Sequence, residues 1–318
     1  MTLHAIAAAL GGDLYARGLR ANIPAPGHSA RDRSVSLLLH RGRVVAHSFG
    51  DADWRAVLDD LRARGLVDAA GAPTGGVGRV VPDQDLPAAA RMRLARDLWD
   101  AGLAIGPNSL AARHGRLRGV ARSLASVADL RIHAAAPVSV YRPGRTRRPA
   151  LLAAIRGPDG ALEAVEITYL DARGRRAGDL RLPRKTVGRL PPGCAVRLDP
   201  AAATLLVAEG VFTALSAGER FGLPAWALLS TGNLRRWLAP PGVRRVVVAA
   251  DRGLDGERSA TLLAERLRAQ GLRASVRPPP PPFGDWNEVA TAGGEGRAGE
   301  GARTAGKRSQ RPEPEIAR

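Results

Sequence analysis

The C-terminal part of this chain is predicted to be α/β and built on a parallel sheet, from three observations. Thr204-Leu-Leu-Val-Ala-Glu209-Gly210 and Arg245-Val-Val-Val-Ala-Ala-Asp251 are short, unbroken apolar runs, and runs of this kind read as strands buried on both faces. Helical sequence alternates with them, which is the signature of a parallel unit. Each run ends on a carboxylate. Ligands of such sheets sit outside the carboxyl ends of the strands, where Glu209 and Asp251 fall.

The elements follow in chain order. Met1 to Leu10 reads as a short apolar helix ended by Gly11-Gly12. It has no basic leader and no cleavage site, unlike a signal peptide. Alternating β-type sequence follows Arg33, Arg43 to Ser48 makes a second strand, and Trp54 to Arg64 a helix with Asp53 as its N-cap. Ala69 to Pro87 is rich in Gly, Pro and Ala and reads as a linker. Leu86 to Ala101 carries Leu94, Leu98 and Trp99 at helical core spacing, and Ser109 to His114 continues as a second helix. His114 is expected to be a packing or surface residue without chemistry.

A β region starts at Arg131 to Arg142. Pro149 to Arg156 and Ala161 to Leu170 form a hairpin around Gly157-Pro-Asp159-Gly160, a strong turn signal. In the C-terminal part, Val211 to Phe221 is a helix, Pro224 to Ser230 a strand, Asn233 to Leu238 a short helix, Gly256 to Gln270 a longer one, and Arg273 to Arg277 a last weak strand. Pro278 to Pro282 is an extended strut. Gly294 to Arg318 has almost no large apolar residues and is expected to be disordered.

Glu209 and Asp251 are open to two readings on spacing alone. They are polar residues where strands leave the core, or they are a pair suited to one divalent cation and one proton transfer. Mg2+ takes oxygen ligands and usually only one or two carboxylates, the rest being water and phosphate.

The words around these residues narrow the choice. Glu209-Gly210-Val211-Phe212-Thr213-Ala214-Leu215-Ser216, Leu229-Ser230-Thr231-Gly232-Asn233-Leu234 and Ala250-Asp251-Arg252-Gly253-Leu254-Asp255-Gly256 resemble the Toprim domain of topoisomerases, bacterial-type primases and some nucleases. The wording is most similar to primase-like Toprim proteins of phages, plasmids and integrated elements. Phe283-Gly-Asp285-Trp286-Asn287-Glu288 resembles their late Asp-Trp-Asn segment. The resemblance covers roughly residues 201–292. It implies a Rossmann-like parallel sheet with helices on both faces, Glu209 as acid/base, and Mg2+ (or Mn2+) on Asp251 with Asp255 or Asp285.

Two positions depart from the family pattern. Gly253 stands where the family has the second Asp of Asp-x-Asp, and Phe212 where relatives often carry an acid. With one carboxylate fewer, Mg2+ affinity near ~10⁻³ M is expected, and Gly253→Asp is expected to tighten it. Asp255 is expected to cap the helix that begins near Gly256.

Residues 1–70 resemble the N-terminal zinc-ribbon module of bacterial-type primases, with its Gly-His-Ser and Asp-Arg-Ser turn. The metal-binding cysteines are absent: the chain has one cysteine, Cys194. A structural zinc site wants four ligands, so no zinc is expected. The basic turn residues Arg31 and Arg33 are expected either to touch phosphate or to pair with Asp32. The β-rich segment before the Toprim-like part resembles that of the same family and implies that Arg184 and Lys185 face the site. Arg235, Arg236 and Arg252 are further expected nucleic-acid contacts.

These readings divide the chain into a zinc-ribbon-like module without ligands (1–70), a linker (71–85), a helical segment (86–130), a β-rich segment (131–200), the Toprim-like domain (201–292) and a basic tail (293–318).

The formal charge is +18, carried almost wholly by arginine, since the only lysines are Lys185 and Lys307. The tail holds few of these charges in excess of its acids, so a basic surface is expected on the folded part, and it attracts polyanions. A single cysteine excludes an internal disulfide framework, and no apolar run of ~20 residues marks a membrane span. A cytoplasmic location is expected. The implied activity is Mg-dependent nucleotidyl transfer, primer synthesis on single-stranded DNA for replication of a mobile element. The partners would be single-stranded DNA, nucleotides and a separate helicase, since no Gly-x-x-x-x-Gly-Lys-Ser/Thr occurs. The alternatives are a catalytically weakened DNA-binding accessory and a Toprim nuclease.

Overall fold

The computed structural model describes residues 3–28, 32–48, 53–75, 86–141, 144–180 and 182–293. Arg31, most of the expected linker and the expected tail lie outside the described residues. The chain divides into two compact units, Met1–Pro87 with Gly253–Asp255 and Ala88–Arg252 with Gly256–Arg318.

The first unit begins with α1 (His4–Ala9), followed by β1 (Asp13–Tyr15), β2 (Arg20–Ile23), β3 (Val35–His40), β4 (Arg43–Ser48) and α2 (Trp54–Ala63). The four strands form an antiparallel sheet in sequence order. Burial alternates along β3, as period-2 sequence requires when one face is covered. Val35, Leu37 and Ile23 bury their side chains against Leu3, Ile6, Val57 and Leu61. The Asp53 carboxylate accepts the Arg55 N–H at 3.1 Å and caps α2. The sequence analysis assigns no strand at β1 or β2, which are only three and four residues long.

The second unit opens with α3 (Ala88–Asp100), α4 (Leu110–Leu117), β5 (Leu130–Pro137), β6 (Arg147–Arg156), β7 (Leu162–Tyr169) and β8 (Arg184–Gly188). These strands make a second antiparallel sheet, again in sequence order. Leu98 and Trp99 of α3 bury themselves against Leu152, Ile167 and Tyr169.

A mostly parallel sheet follows. Its elements are β9 (Val196–Arg197), β10 (Thr204–Ala208), α5 (Val211–Phe221), β11 (Ala225–Ala227), α6 (Thr231–Leu234), β12 (Arg245–Ala249), α7 (Leu254–Ala269) and β13 (Arg273–Arg277). The order is β13-β12-β10-β11-β9. Only β9 runs antiparallel, against β11. Leu206 and Ala208 of β10 pack with Ala214 and Leu215 of α5. Leu205 and Val207 pack with Leu263 and Leu267 of α7. Successive residues of one strand thus serve opposite helices, which is why the run is apolar at every position.

Some boundaries shift from the expected ones. The short helix is α6, begun by Ser230, whose Oγ accepts the Asn233 N–H at 3.2 Å. The long helix starts at Leu254, two residues before Gly256. Asp255 therefore sits inside its first turn instead of capping it, where a negative charge still complements the helix dipole.

Candidate active site

β10 and β12 are adjacent and parallel, with Ala208 opposite Ala249. Glu209 and Asp251 therefore leave the sheet at neighbouring strand ends. A third acidic segment joins them. Asp285 Oδ1 accepts the Glu288 N–H at 2.7 Å, and Glu288 Oε2 accepts the Gly284 N–H at 2.7 Å. This reciprocal pair caps the helical turns at 286–293 in the manner of a capping box. The Arg252 N–H donates to Gly284 O at 2.7 Å, and Trp286 Nε1 donates to Arg277 O at 2.9 Å. Those two bonds tie the segment to the ends of β12 and β13.

Glu209, Asp251, Asp285 and Glu288 line one cleft of about 620 Å³. The same cleft is lined by Arg118, Arg176 and Arg184, which come from the helical and β-rich segments. Carboxylates and guanidinium groups thus share one cavity. That is the charge pattern needed to hold a phosphate and a cation side by side.

The electrostatics sharpen this. Burial, then the charges of Glu209, Asp285 and Glu288, push the Asp251 carboxyl up to about 7. Asp251 Oδ1 is buried with no hydrogen-bond partner among the described residues. Burial lowers the Arg118 pKa against the pull of Asp285. Burial also lowers that of Arg176, helped by the charges of Arg184 and Arg118. Three like charges crowded together favour an anion among them.

An ionised, donor-free carboxylate oxygen in the interior is an environment that a cation relieves. Among the described residues no three His, Cys, Asp or Glu side chains converge to enclose an ion. Asp251 with Asp285 fits the other mode, a hydrated Mg2+ held by one or two carboxylates with water and phosphate completing its shell.

The remaining expected site residues are placed as follows. Arg184 lines the cleft. Its neighbour Lys185 does not: Nζ donates to Val138 O at 2.6 Å and lies 5.4 Å from the Tyr169 ring centre. Alternation along β8 sends the pair to opposite faces. Asp255 is not among the cleft's residues. Arg235 Nε donates to Ser259 Oγ at 2.9 Å, Arg236 Nε to Gly232 O at 3.1 Å, and Arg252 to Pro279 O through both Nε and Nη2. None of these three lines the cleft. In the first unit, Arg33 Nε donates to Asp13 Oδ2 at 2.7 Å and its Nη2 to Gly11 O at 2.7 Å.

Arg118, Arg176, Glu166, Glu288 and His114 are cleft residues that the sequence did not single out as functional. They come from separate segments, so no local motif joins them. His114 is buried, donates through Nδ1 to Gly174 O at 2.8 Å, and meets Phe212 edge-on at 5.0 Å. Burial pushes its pKa down to about 4, so it is a neutral packing residue at the cleft wall. The Arg118 guanidinium lies 5.3 Å from the centre of the Phe212 ring. Phe212 therefore packs between His114 and Arg118.

No helix among the described residues is long and apolar enough to cross a membrane. No curated protein matches the chain. Several solved structures are similar. The zinc-binding and RNA polymerase domains of Aquifex aeolicus primase share 14% identity at a TM-score of 0.43, over 95% of this chain and 82% of that one. The primase fragment of the bacteriophage T7 primase-helicase protein shares 15% identity at 0.38, over 62% of this chain and 73% of that one. The RNA polymerase domain of Mycobacterium tuberculosis primase shares 14% at 0.39, over 67% and 81%. Residues 89–198, the helical and β-rich segments, match a domain of unknown function, DUF7146. Residues 204–296 match the Toprim domain, in agreement with the sheet order and with Glu209 and Asp251 at adjacent strand ends, and the C-terminal region of this chain is a Toprim domain.

Proposed function

We propose that this chain is a primase-like nucleotidyltransferase acting on single-stranded DNA, in the replication of a mobile element. The observation that carries the reading is Asp251: a carboxylate whose pKa is raised by burial and by three acidic neighbours, whose Oδ1 has no donor among the described residues, and which shares a cleft with three arginines. Toprim domains generally bind Mg2+, and here Asp251 and Asp285 would hold it. The ion supplies neutralisation of the charge that develops on the phosphates.

The chain's own groups do the rest. Arg118, Arg176 and Arg184 bind the triphosphate and orient its α-phosphorus. Glu209 takes the proton from the attacking 3′ hydroxyl. The 3′ oxygen bonds to the α-phosphorus and pyrophosphate leaves. DNA and nucleotides are then the binding partners, with a helicase as a separate chain. The segments 1–70, 86–130 and 131–200 serve as template-binding modules.

A second reading is favoured by one feature. Gly253 lies at φ 115°, a backbone state suited to glycine, where the family has a metal-binding Asp. A DNA-binding accessory with weakened chemistry would look like this. The deciding experiment is incorporation of labelled ribonucleotides on single-stranded DNA with Mg2+ or Mn2+. Primer synthesis supports the proposal, strand cleavage points to a nuclease, and binding without either points to the accessory.

A further inference from the structure

The segment that carries Asp285 has a second side. Asp285 lines the acidic cleft, while Trp286 lines a separate groove of about 500 Å³. Arg220, Arg252 and Arg277 line that groove, with Phe221, Trp286 and the chain at Pro278 to Pro280 as its apolar surfaces. Among the described residues no acidic one lines it.

The three arginines are not equivalent. Arg252 is committed to the wall, donating to Pro279 O at 3.0 Å and 2.7 Å. Arg220 and Arg277 are exposed. Neither side chain has a hydrogen-bond or ion-pair partner among the described residues. Arg220 lies in the last turn of α5, where the helix dipole favours a cation. Arg277 ends β13, opposite Ala249 of β12, two residues before Asp251. Phe221 and Trp286 meet edge to face at 5.0 Å, which holds the groove wall rigid.

We infer that this groove is a second contact for single-stranded nucleic acid, which runs past the Asp285–Trp286 wall next to the acidic cleft. The inference rests on the proposed function and adds to it a track on the other side of that wall. Arg252 also lies 3.9 Å from Glu257 Oε1, which leaves Arg220 and Arg277 as the cations open to a phosphate backbone. The exposed Pro278 and Pro280 and the half-buried Phe221 lie beside them, apolar surface suited to sugars and bases in a sequence-tolerant way; Trp286 is buried and backs this wall. Duplex is disfavoured because apolar surface of this kind gains little from paired, stacked bases.

The test is fluorescence anisotropy of a labelled oligothymidylate with the full chain, over a range of salt. Wild type is compared with the double variant Arg220→Ala/Arg277→Ala and with Arg245→Ala, an exposed arginine outside the groove. Each lost phosphate contact should flatten the slope of log affinity against log salt by about 0.7. The double variant is therefore expected to lose about 1.4 from the slope and roughly tenfold in affinity near 0.1 M salt, with Arg245→Ala unchanged. Equal slopes in the double variant and wild type overturn the groove while leaving the functional reading standing. Loss of duplex binding with single-strand binding intact also overturns it. No binding by wild type at any salt removes both readings. Thermal melts exclude a folding defect.

Discussion

Gly256 is pressed against the main chain of Asp251: a β-carbon at residue 256 would stand 2.7 Å from the Asp251 carbonyl oxygen. No real side chain tolerates that distance to a backbone atom, so the glycine lets α7 approach the end of β12. This close packing sets where Asp251 emerges into the cleft. Gly256→Ala should shift that turn and lower stability by about 1–3 kcal/mol, as overpacking does. Denaturant unfolding measures it. An unchanged midpoint would show that the turn absorbs the methyl group freely.

Gly253 has the opposite consequence for engineering. The family pattern makes Gly253→Asp look like a restored ligand. The backbone at φ 115° strains any L side chain by about 1–3 kcal/mol. The variant is therefore expected to melt lower and to gain no Mn2+ affinity. Calorimetric titration of both proteins checks this, and a tenfold tighter site would show that the turn relaxes to accept the carboxylate.

Legibility followed the range of the interactions involved. Thr204 to Ala208 and Arg245 to Ala249 could be read because a strand buried on both faces leaves no room for polar residues, so the fold signal is local. Glu209 and Asp251 were found by position, since each stands just past such a strand. Arg118, Arg176 and Arg184 were a different matter. They meet only because two segments of the second unit fold together, and the sequence singles out only Arg184. Lys185 shows the limit from the other side: one position along a strand reverses the facing. Gly253 was visible as a missing carboxylate, but its φ was not, and the φ changes what the substitution means.

His114 gives a pH test. Its pKa is held near 4, below the ordinary 6.5, chiefly by burial. Between those values the unfolded chain binds a proton that the folded chain refuses, so stability falls as pH drops through this window and is intact above 6.5. The loss is on the order of 3 kcal/mol at most. His114→Gln can keep a donor for Gly174 O without titrating. Its stability should fall less between pH 6.5 and pH 4.5 than that of the native chain. Parallel profiles for the two proteins would assign the acid sensitivity elsewhere.

Asp251→Asn separates the two roles of the buried carboxylate. The Asp251 pKa is raised to about 7 by burial and by Glu209, Asp285 and Glu288. A raised carboxylate contributes fully below its unfolded value near 4, and that contribution is lost as pH rises through 7. At pH 8 the metal-free protein thus holds a charge that the fold disfavours, with Oδ1 lacking a donor. Asparagine removes the charge and nearly keeps the shape, so metal-free Asp251→Asn should melt higher than the native chain at pH 8 and differ little at pH 5. Divalent cation narrows the gap at pH 8. With 10 mM Mn2+ and a dissociation constant near ~10⁻³ M, the native chain gains about 1.4 kcal/mol, and the variant should gain almost nothing. Melting curves at both pH values, with and without Mn2+, give all four comparisons. If Mn2+ raises the variant as much as the native chain, Asp251 does not hold the ion. If the metal-free variant is the less stable at pH 8, the carboxylate is satisfied by a partner within the fold, and the case for a cation beside it fails.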